Sequence, residues 1–210
     1  MEYEVATNAL AKQFLDDYLT EDMQRIFYEN CTNMEQTKIF QHYLLGHLID
    51  TGRLLKKWGC SEALYLAGIF HSIYGTEALS ASVFTFSPLS LEHREKISTV
   101  IGAKTEHLVY LFCAMTKDTF FSNLARQTTF SVFDRFNRME IPISESDYID
   151  LLSLTLADWI EPIVGKEADP RTAQYLKSLF QKEFTQASYL LPTQAVEDFR
   201  QAYAIEPLTP

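Results

Sequence analysis

The sequence has few of the residues that break helices or cross-link a chain: 7 glycines, 7 prolines and 3 cysteines among 210 residues. Scarce glycine and proline leave room for long uninterrupted helices, and a hydrophobic content of 47% argues against disorder. The cysteines, at positions 31, 60 and 113, are far apart and odd in number. This spacing excludes a CxxC zinc site and favours reduced thiols in a cytoplasmic protein.

Long apolar runs and positive charge are also lacking. The longest apolar run, Ala63 to Phe70, has eight residues, whereas a membrane-spanning helix needs roughly 20. The opening residues MEYEVATN are acidic, so no signal peptide is expected there. The formal net charge of −10 would repel phosphate backbones. We therefore expect a small-molecule substrate and no nucleic-acid or membrane partner, while the oligomeric state stays open.

Apolar residues recur with helical spacing over most of the chain. The stripe from Met34 to Trp58 predicts one long helix that ends at Gly59. Ser61 is then expected to cap a short, almost wholly apolar helix that runs to His71. A helix that is apolar on all sides belongs at the centre of a fold.

The rest of the chain continues this helical pattern with one interruption. Thr76 to Pro88 predicts a loop or broken helix, and FSVFDRFNRMEIPIS (residues 130–144) alternates like a β-hairpin. The sequence therefore predicts an all-α fold with one small β-hairpin. Further helices are predicted from Ser90 to Gly102, from Lys104 to Met115, from the Ser144–Asp147 capping box to Pro162, over Asp169–Gln186 and over Thr193–Tyr203.

Three polar residues fall at positions where the periodic pattern predicts buried apolar side chains. His47 lies on the apolar stripe of the first long helix, His71 ends the central apolar helix, and Asp158 shares a face with Leu151 and Thr155. A buried carboxylate is costly unless it is paired or bound to a metal. Two imidazoles and one carboxylate on three inward-facing helices could share one cation. Taken singly, each histidine could equally be a core residue bonded to a carbonyl group.

The block GHLIDTGRLLKKWGCSEALYLAGIFHSIYG, which contains His47 and His71, resembles the opening of the HD-domain superfamily of metal-dependent phosphohydrolases. There, a histidine on one helix precedes an apolar helix that ends in His-Asp, and a later helix supplies an aspartate in a phrase similar to LTLADWIE around Asp158. The phrase IGAKTEHLVYLFCAMTK (residues 101–117) is similar to one in the hydrolase domain of the alarmone (ppGpp) enzymes. The resemblance implies an HD-like bundle in which His47, His71 and Asp158 bind metal. It also implies one domain over 1–210, with a core at about 35–162 and helices at 169–204 packed on it.

The sequence departs from this superfamily at several catalytic positions. Ser72 stands where the superfamily has its defining aspartate, a metal ligand that bridges the ions in members with two metals, so a dinuclear centre is not expected. Gly75 and Thr76 replace the catalytic Glu-Asp pair of the alarmone hydrolases, although Glu77 follows directly. The remaining two-histidine, one-carboxylate set is typical of mononuclear non-haem iron sites, and it also suits zinc or manganese with a water.

Three functions remain open on these observations. The first is a mononuclear metal-dependent enzyme for a small molecule, with iron preferred among Fe, Mn and Zn, and with oxidation preferred because the hydrolase carboxylates are missing. The second is a divergent single-metal phosphohydrolase, and the third is a non-catalytic binding protein of HD-like fold. Candidate pocket residues are Tyr74, Thr76, Glu77 and Arg94. His42, His93, Glu106 and His107 are more simply interpreted as exposed or supporting side chains.

Overall fold

The computed structural model describes residues 12–31, 38–39, 42–77, 88–125, 129–164 and 170–204. Over these ranges the protein is predominantly helical, and residues 12–18 form the first helical stretch. None of the helices described is long and apolar enough to cross a membrane. The later helices are α1 (Glu21–Cys31), α2 (Leu44–Lys57), α3 (Glu62–Phe70), α4 (Arg94–Ile101), α5 (Ala103–Ala114), α6 (Lys117–Ser122), α7 (Glu145–Ile160), α8 (Pro170–Ser178), α9 (Gln181–Ala187) and α10 (Thr193–Tyr203).

The all-α fold with a β-hairpin is confirmed. Strands β3 (Phe130–Asp134) and β4 (Met139–Ile143) pair antiparallel with Val132 opposite Ile141. A second, shorter pair joins β1 (Lys38–Ile39) to β2 (His42–Tyr43), so the expectation of a single hairpin is wrong. This pair lies in KIFQHY, where aromatic and β-branched residues favour extended backbone over helix.

Helix boundaries follow the capping residues where these are present. Ser61 caps α3 by accepting the Leu64 N–H, and Ser144 caps α7 by accepting the Asp147 N–H, as predicted. Ser90 caps a 3-10 turn that leads into α4. Most of the predicted loop after Thr76 (78–87) lies outside the described residues.

Two predicted helices have different bounds in the structure. The helix expected from Met34 begins only at Leu44, because the strand pair precedes it. The helix expected over Asp169–Gln186 is split into α8 and α9. Phe180 stands between them with φ of 52°, which is outside the helical region.

A pair of glycines lets the two central helices come close together. A Cβ atom added to Gly68 of α3 would lie 3.0 Å from the Cα atom of Gly52 in α2. A Cβ atom added to Gly52 would lie 2.9 Å from the backbone oxygen of Tyr65. Larger residues would force the helices apart, since packed cores accommodate added atoms poorly. The close approach brings the His47 helix against the helix that ends in His71.

The last helix of the described chain packs back onto this core. Helix α10 contacts α7, and its buried Asp198 accepts hydrogen bonds from the Trp58 indole at 2.8 Å and the Lys57 ammonium at 2.7 Å. The end of α2 is therefore tied to the C-terminal part of the chain by a fully paired carboxylate.

Candidate metal centre

Three mutually packed helices supply the residues of the candidate centre. His47 lies in the first turn of α2, His71 is the C-cap of α3, and Asp158 lies in the last turn of α7. Helices α2, α3 and α7 pack against one another. One ligand-type atom from each of the three residues lies within 4.8 Å of the others, so the group could hold a metal ion.

Each imidazole is oriented by a hydrogen bond on its Nδ1 side. His71 Nδ1 lies 2.7 Å from the backbone oxygen of Gly68, and a carbonyl oxygen only accepts, so Nδ1 carries the proton. His47 Nδ1 lies 2.7 Å from Oε2 of the buried Glu161, which likewise favours a proton on Nδ1. Both rings are thus held with Nε2 available as a lone-pair donor.

The two Nε2 atoms converge on one carboxylate oxygen. Asp158 Oδ1 lies 3.0 Å from Nε2 of His47 and 3.3 Å from Nε2 of His71. An ionised carboxylate only accepts hydrogen bonds. If both imidazoles were neutral and carried their protons on Nδ1, their Nε2 lone pairs would face the carboxylate oxygen and repel it. Either protons or a cation must lie between these atoms.

Two of the three separations between the candidate ligand atoms agree with coordination of one ion. For metal–ligand bonds of about 2.1 Å, neighbouring ligands are ~3.0 Å apart in an octahedron and ~3.4 Å apart in a tetrahedron. The two imidazole–carboxylate distances, 3.0 and 3.3 Å, fall at these values. Buried carboxylate or carbonyl partners behind ligand histidines are the usual outer support of metal sites, and Glu161 and Gly68 occupy those positions.

The pKa shifts of His47 and Asp158 favour a positive charge between the two side chains. Burial disfavours the imidazolium form of His47, but the hydrogen bonds that its ring N–H groups donate to Asp158 and Glu161 outweigh burial and raise the pKa of His47 to about 10. Burial also opposes ionisation of Asp158, yet the two imidazoles lower the pKa of this carboxyl well below its ordinary range. A metal ion would take the place of a proton on His47.

The centre is accessible from the carboxylate side. The side chains of His47 and His71 are 8% and 2% exposed, whereas that of Asp158 is 22% exposed. Phe112 packs against the His71 ring at a steep angle, with ring centroids 5.3 Å apart. A ligand would therefore approach past Asp158.

Two of the predicted pocket residues belong to a separate buried network. Arg94 binds both carboxylate oxygens of Glu106, at 2.7 and 2.9 Å, and stacks on Tyr110. Tyr74 donates to Glu106 at 3.1 Å. Glu106 is buried, so its interpretation as an exposed helix charge is wrong, and its carboxylate pairs with Arg94 and Tyr74.

The other two predicted pocket residues lie on the turn after His71. Thr76 and Glu77 are half-buried, and Glu77 Oε2 accepts the backbone N–H of Lys117 at 3.0 Å. Ser72 is buried beside His71. Among the remaining histidines, His93 is exposed, His107 lies 3.6 Å from Asp147, and the side chain of His42 is outside the described residues.

Sequence reasoning missed Glu161 and Lys117 as members of the site. Glu161 follows Asp158 by three residues, and side chains three apart share one face of a helix. That spacing could have identified it. Lys117 gave no such signal, because only the packing of α5 and α6 reveals that its ammonium nitrogen is buried.

Comparison with known proteins gives one partial match. Residues 30–117 match the profile of DUF6817, a domain of unknown function. The matched segment contains His47, His71 and Lys117 but ends before Asp158 and Glu161. No curated protein and no solved structure matches the chain. The resemblance to the HD superfamily stays a prediction.

Proposed function

We propose that this protein is a mononuclear metal-dependent enzyme that acts on a small molecule. The observation that supports it best is the convergence of two oriented imidazole Nε2 atoms on Asp158 Oδ1. Lone pairs arranged in this way are stabilised by a shared cation, and two histidines with one carboxylate leave further coordination positions for substrate. Iron is preferred over manganese and zinc, and oxidation of the substrate is the preferred reaction.

The protein's own residues hold and shield the reacting centre. Glu161 and the Gly68 carbonyl fix both rings, and Phe112 packs against the His71 ring. A bound ion would supply Lewis acidity and open positions for substrate and oxidant or water. The 22% exposure of Asp158 admits a small ligand at the centre, where displaced water strengthens polar contacts.

Hydrolysis of a phosphoester is a second candidate, and it is favoured by Glu77. This carboxylate stands six residues after His71 on the same turn and is held by the Lys117 backbone N–H. A half-buried carboxylate in the segment that follows a candidate ligand histidine is a candidate general base for water. The pair that serves the alarmone hydrolases is nevertheless replaced by Gly75 and Thr76, which is why oxidation is preferred.

Metal analysis of the full chain tests the proposal. Protein purified anaerobically without chelator is expected to contain about one equivalent of a transition metal, and His71→Ala is expected to lose it. His93→Ala, which changes an exposed histidine, is the matched control and should keep the metal. Oxygen consumption would support oxidation, and phosphate release from a nucleotide panel would support hydrolysis. Metal-free wild-type protein that also fails to bind added iron, manganese or zinc would overturn the proposal.

A further inference from the structure

A buried ammonium group lies beside the candidate metal centre. The Nζ atom of Lys117 is inaccessible to solvent and meets no hydrogen-bond partner in the part of the chain that the structure describes. It lies 4.2 Å from the centroid of the Phe112 ring. That ring supplies a cation–π contact but no acceptor for the three N–H groups.

Several contacts fix Lys117 next to His71. The Phe112 ring contacts both the His71 ring and the Lys117 ammonium, so the two groups share one aromatic neighbour. Cys113 Sγ donates to the backbone oxygen of His71 at 3.0 Å. The Lys117 N–H binds Glu77 at 3.0 Å, and Arg135 links the Gly75 and Cys113 carbonyls at 2.6 and 2.9 Å.

This arrangement is costly unless a ligand completes it. Burial lowers the pKa of Lys117 to about 8, while the carboxylates of Asp158 and Glu77 act to raise it. A buried cation without hydrogen-bond acceptors destabilises a fold. Two other partly covered lysines are paired: Lys57 binds Asp198, and Lys104 binds Asp147. The Lys117 ammonium, which is more deeply buried, has no such carboxylate partner among the described residues.

We propose that Lys117 binds an oxyanion of the substrate, a carboxylate or a phosphate group, beside the His47–His71–Asp158 centre. The inference rests on the proposed function and narrows its substrate to a small anion. A point charge with three donors suits either oxyanion. The opening past Asp158 is lined by a carboxylate, so an anion would be stable there only with the cation of the centre or Lys117 as its partner.

Anion titration of the metal-loaded full chain tests this assignment. Inorganic phosphate and, separately, acetate are titrated calorimetrically at constant ionic strength. We expect Lys117→Met to weaken the probe that binds by at least about tenfold, the usual scale for loss of a charge-assisted hydrogen bond. Lys96→Met removes an exposed lysine of α4 and should leave binding unchanged. The probe that binds shows whether the oxyanion is a phosphate or a carboxylate.

The readouts separate this inference from the proposed function. Lys117→Met should keep the metal content of wild type and melt at the same or a higher temperature, because an unpaired buried charge is removed. If Lys117→Met does not fold, Lys117→Gln serves in its place. Anion binding that needs His71 but not Lys117, or wild-type protein that binds neither probe, would overturn the inference and leave the metal proposal standing. Lys117-dependent binding in a chain that holds no metal would support the inference and overturn the metal proposal.

Discussion

Two carboxylates in this protein, the buried Asp198 and the partly exposed Asp158, have opposite kinds of partners. Asp198 accepts from the Trp58 indole and the Lys57 ammonium, and both groups are obligate donors. Asp158 instead faces two imidazole nitrogens whose protons have been placed on the far side of each ring by Glu161 and Gly68. The first carboxylate is satisfied within the fold. The second is satisfied only when protons or a cation are added.

This difference separates a structural polar network from a binding site better than burial does. Glu106 is as buried as Asp198 and also has obligate donors, Arg94 and Tyr74. A burial criterion alone would place Asp198 and Glu106 ahead of the partly exposed Asp158. When each carboxylate is judged by whether its partners can donate hydrogen bonds, Asp158 becomes the best candidate for a binding site. This criterion predicts that equivalent substitutions at Asp158 and Asp198 will have different consequences.

The largest expected effect is on metal affinity, from Asp158→Asn. The substitution keeps the size of the side chain but replaces a charged ligand by a weak one, so affinity should fall by roughly a thousandfold or more. The new amide N–H can donate to an imidazole lone pair, but the charge that stabilises protonated His47 is lost, so the metal-free protein should also lose stability near neutral pH. Metal titration and thermal unfolding measure the two effects. Unchanged affinity would remove Asp158 from the ligand set.

The fall of stability with pH in the metal-free protein should level off when metal is bound, because the rise in metal affinity offsets the loss of the His47 contribution. His47, with its pKa raised to about 10, stabilises the metal-free fold fully below its unfolded pKa of about 6.5, and this contribution is lost as pH rises towards 10. Metal must displace the same proton, so its affinity should rise up to about tenfold per pH unit over that window. Unfolding measured from pH 6.5 to 9.5, with and without chelator, checks both slopes. A chelator-independent profile would contradict a shared proton and metal site.

A smaller effect is expected from Glu161→Gln, which changes the support of His47 rather than a ligand. The glutamine oxygen can still accept the Nδ1–H, but the negative charge that increases the basicity of the ring is lost. Loss of such a partner typically costs about 10–100-fold in metal affinity. The pKa of His47 should fall as well, so the rise of affinity with pH should end at a lower pH than in wild type. A loss of stability without any change in this profile would indicate a purely structural carboxylate.

Much of the fold could be predicted from residues that are close together in the sequence. The caps at Ser61 and Ser144 and the hairpin over residues 130–143 depend on near neighbours in the chain, and all three are confirmed. The start of α2 at Leu44 and the break at Phe180 were not predicted. At both places the hydrophobic spacing continues through the boundary. The local strand pair β1–β2 precedes α2, whereas the Phe180 ring packs against Phe121 and Trp159, which are remote in sequence.

The candidate site could be predicted only in part from the sequence, because packing alone identifies some of its residues. His47, His71 and Asp158 stood out because each places a polar group on an apolar helix face, and the structure brings them together. Glu161 and the buried ammonium of Lys117 lie at helix ends, where sequence pattern does not distinguish exposure from burial. Orientation of the rings by Glu161 and Gly68 is a property of packing and needed the structure.

The smallest expected effect, and the sharpest contrast with Asp158, comes from Asp198→Asn. The new amide oxygen can accept from either Trp58 or Lys57, but the charge is lost and one donor is left poorly paired. A buried donor in that position costs about 1–3 kcal/mol of unfolding free energy. Because Asp198 belongs to a complete network at the other end of α2, metal content and affinity should stay at the wild-type level. Chemical denaturation and metal titration of this variant, run beside Asp158→Asn, decide the comparison: a loss of metal from Asp198→Asn would mean that the two carboxylates are not independent.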